Sequence, residues 1–485
     1  MKKYFGRIFA VAFITTLLVA GCTDEFAEIN TDPDRAKDAP ATNVLAFVIR
    51  YLSATQFDPW KDMNEVSTYA GYVAKIQYID ECRYQFRPGV VENNWYYDYI
   101  LLNNINEIKK KAATDGATNL MAVAQTLEVV VFQIATDTWR DIPFTEAIKL
   151  NDGILLPKYD KQEDIYPALL AELKTAADAF ASGGTDALGD GDIMFGGDVE
   201  LWQKFANSLR LRLAMRISGV SSALAKSTVE EVLGNPSKYP VMESNDDNAF
   251  FWWPGASPYE EPWYTDSKTR DDHGISDVIV NVLKSLDDPR LPVYAFPAAA
   301  DGEYRGFTIG AAAQPALTTI SRIGERFRKD PAGFTPYMRY AEVMFHVAEA
   351  AKIGFSTGTT AQKAYEAGVT ASLEENGIAK ADIATYLAGK GKFDNTLDQI
   401  YLQEWIAMFK QGMEGWSLYR RTGIPKTHYV APGSPYSGHN TPPFRYPYPA
   451  NELTYNQANS KPFVDTVVDD FWGKQMWWDT RTGVH

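Results

Sequence analysis

The stretch YMRYAEVMFHVAEAAKIGFSTGTTAQKAYEAGVTASLEEN, residues 337–376, decides the fold class. Its first half places apolar residues at three- and four-residue steps and ends at Gly354. That is one face of a helix followed by a glycine stop. A Ser/Thr/Gly loop, 355–360, leads to a second helical run, Ala361–Asn376, which carries Ala364, Ala367, Gly368 and Ala371. Such small residues let a neighbouring helix approach closely. Helix–loop–helix units of about 34 residues have the tetratricopeptide period. The full repeat consensus is absent, so the hairpins are expected to be degenerate.

Outward from this hairpin, helical spacing recurs over Asn94–Ala112, Leu120–Trp139, Asp164–Ala181, Leu201–Ser218, Ile275–Leu286 and Leu397–Gly412. Strand signals are confined to Tyr239–Met242 and Ala249–Trp253. The expected class is mostly α, with tetratricopeptide-like helical hairpins and long irregular loops packed on them. Those loops are 236–274, rich in Pro, Asp and aromatics, and the proline- and tyrosine-rich 425–463. Long loops of aromatic composition are expected to be ordered and functional.

The N-terminus reads as an export signal. Lys2, Lys3 and Arg7 precede an apolar run, Ile8–Ala20, shorter than the roughly 20 residues that span a bilayer. Leu18-Val19-Ala20-Gly21-Cys22 resembles the bacterial lipobox, in which the cysteine is acylated and becomes the first residue. The expected organisation is a lipoprotein signal peptide over 1–21, a lipidated tether over 22–40, and a single α-helical domain over 41–485. Acylation converts the membrane relation from spanning to anchored. The acidic Asp24 and Glu25 resemble a surface-export signal. Signal removal takes away three basic residues and no acid, deepening the formal charge of −15 by three. An acidic surface repels phosphate backbones, so no nucleic acid is expected as partner. Cys82 then stands alone, so the mature chain has neither an intramolecular disulfide nor a four-thiolate zinc site.

Enzyme signals are missing. The histidines, His273, His346, His428, His439 and His485, form no His-Glu-x-x-His motif, and no Gly-x-Ser-x-Gly or phosphate loop occurs. No catalytic residue and no cofactor are assigned. Asp186, Asp190, Asp192 and Asp198 sit in a Gly-rich segment and are the weak candidates for calcium. Their spacing departs from the helix–loop–helix calcium pattern, so a plain acidic turn with no metal is the expectation.

Binding residues are sought among aromatics outside helical periodicity. An aromatic ring covers the C–H face of a sugar, while amides and carboxylates bond its hydroxyls. Trp252, Trp253, Tyr259, Trp263 and Tyr264 have this character, flanked by Asp246, Asp247, Asn248, Glu260 and Glu261. Strand alternation puts Trp252 and Trp253 on opposite faces, so at most one is expected to be exposed. Trp60, Tyr69, Tyr72, Gln77, Tyr78, Arg83 and Tyr84 form a second cluster, in which Trp60 and Tyr78 are the favoured contacts. Trp95, Trp202, Trp405, Trp416 and His346 are expected in the core. Arg210, Arg212, Arg216, Arg420 and Arg421 are expected to be partly buried and paired with carboxylates.

Several blocks resemble one family. Glu404-Trp405-Ile406-Ala407-Met408-Phe409, then Gly412 and Glu414-Gly415-Trp416-Ser417-Leu418-Tyr419-Arg420-Arg421-Thr422-Gly423-Ile424-Pro425, resemble the C-terminal signature of SusD/RagB nutrient-binding lipoproteins. Pro443-Phe444-Arg445-Tyr446-Pro447-Tyr448-Pro449, the run Trp202–Arg212, Asp141–Ala147, the closing Trp477-Trp478-Asp479 and the early Asn30-Thr31-Asp32-Pro33 are similar to further family blocks, in the same order. The resemblance implies four tetratricopeptide-like helix pairs. It also implies a lipid-anchored outer-membrane protein, exposed at the cell surface, that caps a TonB-dependent transporter of the SusC type and delivers oligosaccharide to it. A peptide-binding member of the family, a surface glycoside hydrolase and a lid without a ligand of its own are the alternatives.

Overall fold

Apolar residues at helical steps give each helix a face that must be covered. In the computed structural model, which describes residues 39–85, 87–428, 441–464 and 474–484, sequence neighbours cover it. The helices of eleven residues or more are α1 (Ala41–Gln56), α2 (Pro88–Asp115), α3 (Thr118–Trp139), α4 (Gln162–Ala181), α5 (Val199–Arg216), α6 (Ser222–Gly234), α7 (Tyr340–Lys352), α8 (Ala361–Glu375), α9 (Leu397–Ala407) and α10 (Gly412–Thr422). Consecutive helices pair, α2 with α3, α4 with α5 and α7 with α8. Cross-packing of α3 on α4, α5 on α7 and α7 on α9 joins the pairs into one body. The fold is mostly helical and tetratricopeptide-like. Apolar α3 is long enough to cross a membrane, but it is largely buried as the central core helix.

The small residues of α8 act as expected. A Cβ added at Gly368 would stand 3.0 Å from the Phe345 ring of α7. Thr360 caps α8 by accepting the Lys363 N–H, and Asp198 caps α5 by accepting the N–H groups of Glu200 and Leu201.

Four short strands make two antiparallel ribbons. β1 (Val73–Lys75) pairs with β3 (His273–Ile275), with Lys75 opposite His273. β2 (Ala249–Trp252) pairs with β4 (Phe334–Met338), with an irregularity between Ala249 and Phe250. Three-residue strands are too short to show a period, so β1 and β3 leave no sequence signal. β4 takes Tyr337 and Met338 out of the helix expected from 337, and α7 starts at Tyr340. Tyr239–Met242 is not a strand. It is a buried irregular segment held by Tyr239 O–H donating to Asp178 and by the Met242 N–H donating to Ser208 Oγ at 3.0 Å. The helix expected over Leu397–Gly412 ends early, at Ala407, and α10 starts at Gly412; in the turn between them Lys410 is left-handed at φ 70° and its amine lies 3.1 Å from Glu261. The helical spacing does not show α1, α6 or α10, nor the shorter helices Pro262–Thr269 and Lys380–Ala388.

The core holds the expected arginines. Arg212 pairs with Glu342 and donates to the Tyr337 carbonyl at 2.7 Å; Arg216 joins Asp137 (2.7 Å) and Glu414. Arg420 donates to the carbonyls of Asp137 and Phe444, Arg421 holds both oxygens of Glu349, and Arg210 pairs with Glu231. Trp202, Trp405 and Trp416 are fully buried, and each indole N–H has an acceptor: Asp192 Oδ2, the Ala70 carbonyl and the Pro443 carbonyl. The signal peptide, Cys22, the tether up to residue 38 and residues 429–440 of the proline-rich loop lie outside the described residues.

Candidate ligand-binding site

The β1–β3 ribbon ends in a cluster of aromatic and charged side chains. Past β1, the Ile76 N–H donates to the Asp272 carbonyl at 2.6 Å, which carries the pairing one step further and turns the chain outward. Tyr78 follows in the left-handed region at φ 51°, with its N–H donated to Gln314 Oε1 at 2.8 Å. Its ring is 67% exposed, and the Arg270 guanidinium lies 5.6 Å from the ring centroid. Arg270 itself is fixed by Asp272 through Nε at 2.7 Å.

Trp60 stands at the same ribbon end. Its backbone N–H donates to Asp58 Oδ1 at 2.9 Å, and its ring is 46% exposed. Lys75, the last residue of β1, places its amine 5.1 Å from the Trp60 ring centroid and pairs with Glu81 at 2.9 Å. Each ring therefore has a cation on one face. Gln77, Asp80, Asp271, Arg322 and Gln314 supply polar groups nearby. Burial, reinforced by the neighbouring Asp266, raises the Asp58 carboxyl above its ordinary range.

The second sequence cluster divides. Trp252 is 56% exposed, against Phe250 and Phe334 on the β2–β4 ribbon, while Trp253 is buried and donates to Thr335 Oγ1 at 2.9 Å. The alternation argument holds here. Trp263 is a correction: it is fully buried, its N–H donates to Asp62 Oδ2 at 2.9 Å, and Lys410 sits 5.2 Å from its ring. Neither Trp253 nor Trp263 offers a face to a ligand. Tyr264, on the helix Pro262–Thr269 that leads to Arg270, is half-buried with Lys268 5.7 Å from its ring. Tyr259 is exposed beside Arg50 of α1, 5.7 Å from the ring centroid. Trp60, beside Lys75, and Tyr78, three residues past it, are exposed near the end of β1, while Tyr69, Tyr72 and Tyr84 of that cluster are buried and Trp252 and Tyr259 stand on other elements. Arg270 and Gln314 were missed, because nothing local in the sequence brings them to Tyr78.

The acidic segment serves the backbone. Asp186 accepts the N–H groups of Asn119 and Leu120 at the start of α3 (2.9 and 3.0 Å). Asp192 accepts from Met194, Phe195, Gly197 and the Trp202 indole. Asp190 is exposed. With two of the three carboxylates turned to N–H donors, they do not form a shared calcium cradle. Among the described residues, His346, Glu349 and Glu404 lie close enough to share an ion. Arg421 holds both oxygens of Glu349, and Tyr401 O–H donates to it at 2.9 Å. Burial pushes Glu404 up to about 7, beside His346 at 3.3 Å. The Arg421 guanidinium thus already serves as the counter-charge of Glu349.

The interior offers no room for a sugar where α1, α3 and α10 meet. The cavity there, beside Lys61, Gln133 and Arg212, measures about 50 Å³, the space of one or two waters. The Cys82 thiol is buried and pushed up to about 12, far from a reactive thiolate.

A family model described as starch-binding and associating with the outer membrane, of the SusD-like type, matches residues 34–449. No curated protein matches the chain in sequence. Several solved structures are similar to it. A chitin-binding protein is 27% identical, with 90% of this chain and 100% of that one covered and a TM-score of 0.77. A chitin-binding SusD homolog from Flavobacterium johnsoniae is 26% identical, with 91% and 100% covered and a TM-score of 0.79. A SusD-like protein from Bacteroides thetaiotaomicron is 25% identical, with 91% and 99% covered and a TM-score of 0.79.

Proposed function

Because this chain belongs to the SusD-like family of outer-membrane-associated, non-catalytic glycan-binding proteins, we propose that it is a surface lipoprotein that takes an oligosaccharide at Trp60 and Tyr78 and hands it to a SusC-type TonB-dependent transporter. Cys22 carries the lipid, residues 22–40 form the tether, and residues 41–485 act as a single domain. The glycoside hydrolase alternative falls with the non-catalytic character of the family. The observation that carries the reading is the exposure of Trp60 and Tyr78 near the end of β1, each with a cation over its ring. Lys75 and Arg270 fix the ring planes, and the amides and carboxylates around them suit hydroxyl groups. Two relatives of 26% and 27% identity are chitin-binding, which makes β-linked N-acetylglucosamine chains the first candidate.

Isothermal titration with chitooligosaccharides, maltooligosaccharides and a peptide pool tests this reading. Heat is expected with at least one glycan series, and the double variant Trp60→Ala/Tyr78→Ala should weaken it by about five- to 150-fold, ring contacts being worth roughly 0.5–1.5 kcal/mol each. Heat with peptides alone would overturn the sugar assignment, and full affinity in the double variant would overturn its location.

A further inference from the structure

The first third of α2 borders a cleft that the Trp60–Tyr78 cluster does not include. It opens where α2 faces the segment around Pro143 and Pro157 and the short helix Ala450–Tyr455, and its volume is about 510 Å³. That volume lies within the usual 300–1,000 Å³ of small-molecule sites. Tyr96 lines it with a ring 61% exposed, although α2 has an apolar face elsewhere to bury. Glu92 and Asn93 precede Tyr96 by four and three residues, which sets all three on one side of the helix. Asn451 and Glu452 face them from the short helix.

The walls are rigid. Tyr99 O–H donates to the Pro143 carbonyl at 2.8 Å, and its ring lies 5.1 Å from that of Trp95. Glu452 is fixed by Tyr159 O–H at 2.8 Å and by Asn456 Nδ2 at 3.3 Å. Among the described residues, no lysine or arginine lines the cleft, whereas two carboxylates do. Anionic sugars and phosphates are disfavoured there. What remains is an exposed aromatic ring within a rim of carboxylates and amides, complementary to an uncharged sugar.

We propose that this cleft is a second carbohydrate subsite, selective for a neutral sugar residue stacked on Tyr96. The proposal rests on the reading of the chain as a glycan binder, but it uses none of the residues of the first cluster. Two separated subsites raise the apparent affinity for chains long enough to reach both.

Titrations of four proteins with chitohexaose, maltohexaose and a sulfated oligosaccharide test it: native, Tyr96→Ala, Trp60→Ala/Tyr78→Ala, and all three substitutions combined. Because Tyr96 is mostly exposed, Tyr96→Ala is expected to keep the native circular dichroism and melting temperature. Tyr96→Phe keeps the ring and is expected to bind as the native protein does. The native protein should bind two equivalents of a neutral hexasaccharide, Tyr96→Ala and the double variant one each, and the triple variant none. The sulfated ligand should not enter the cleft. A single equivalent, abolished by the double variant and untouched by Tyr96→Ala, would overturn the second subsite and leave the first. Loss of all binding in Tyr96→Ala alone, with the double variant unaffected, would sustain the cleft and overturn the first location. No binding of any glycan by the native protein would overturn both. If Tyr96→Ala instead weakens co-purification with the transporter and leaves every titration unchanged, the cleft docks protein and the proposal falls.

Discussion

Trp252 and Trp263 stand in one loop of similar composition and have opposite surroundings. Trp252 leaves β2 into solvent beside Phe334, whereas Trp263 is enclosed and donates to Asp62, 201 positions away in the chain. Replacement should separate them. Trp263→Ala is expected to cost about 3–5 kcal/mol and Trp252→Ala less than about 1 kcal/mol, read from urea denaturation by circular dichroism. Equal losses would mean that the two burials are misjudged. The contrast also marks how far the site was legible. Alternation along a strand predicts that one of Trp252 and Trp253 is hidden, because that is a local rule. Nothing local announces Asp62 to Trp263, or Arg270 and Gln314 to Tyr78, since those pairings arise only after distant elements meet.

At the scale of elements, the helical hairpins and the strand β2 were legible, whereas β1, β3 and β4 were not. A helix repeats its apolar step over many residues; β1 and β3 have three residues each and no room for a period. The early end of α9 at Ala407 was not legible either, since the turn before α10 is fastened by the buried pair of Lys410 and Glu261, distant in the chain. The acidic segment before α5 gives a prediction at this scale. Asp192 accepts four N–H groups, at 3.2, 3.1, 2.9 and 2.8 Å. Asp192→Ala should destabilise by at least about 2 kcal/mol, as expected when hydrogen bonds to a charged acceptor are lost. Calcium or a chelator should leave the native melting temperature unchanged. A calcium-dependent rise in that temperature would restore the segment as a metal site. α5 gives another test. Arg216→Ala removes the buried guanidinium that bridges Asp137 and Glu414 and should cost about 3–5 kcal/mol in the same urea assay.

The molecule as a whole carries unusual buried acidity. Burial pushes Asp62 up to about 7, Glu65 to about 8 and Asp98 to about 6, while the Lys61 amine among them is pushed down. Glu65 accepts the Tyr446 hydroxyl, so this group ties the start of the chain to the proline-rich segment near its end. The native state keeps a proton on Glu65 that the unfolded chain releases near 4.5. The stability linked to this group is therefore full below pH 4.5 and declines as pH rises towards about 8. Glu65→Gln keeps the volume and an acceptor without the ionisation. Relative to the native protein it should gain stability across that window, by up to about 1.4 kcal/mol per pH unit, and level off above it. Denaturation midpoints measured at several pH values check this; parallel profiles for the two proteins would refute it.

The distribution of tryptophan also has an optical consequence. Among the described residues, Trp60 and Trp252 are exposed, Trp477 is half-buried, and the other indoles are buried. Emission should be dominated by blue-shifted, shielded fluorophores, with a small red component open to a collisional quencher such as acrylamide. In a Trp252→Ala background, Trp60 becomes the main source of that component among the described residues. A sugar seated on its free face would be seen as protection from quenching, so occupancy could be followed without labelling the ligand or modifying the protein further.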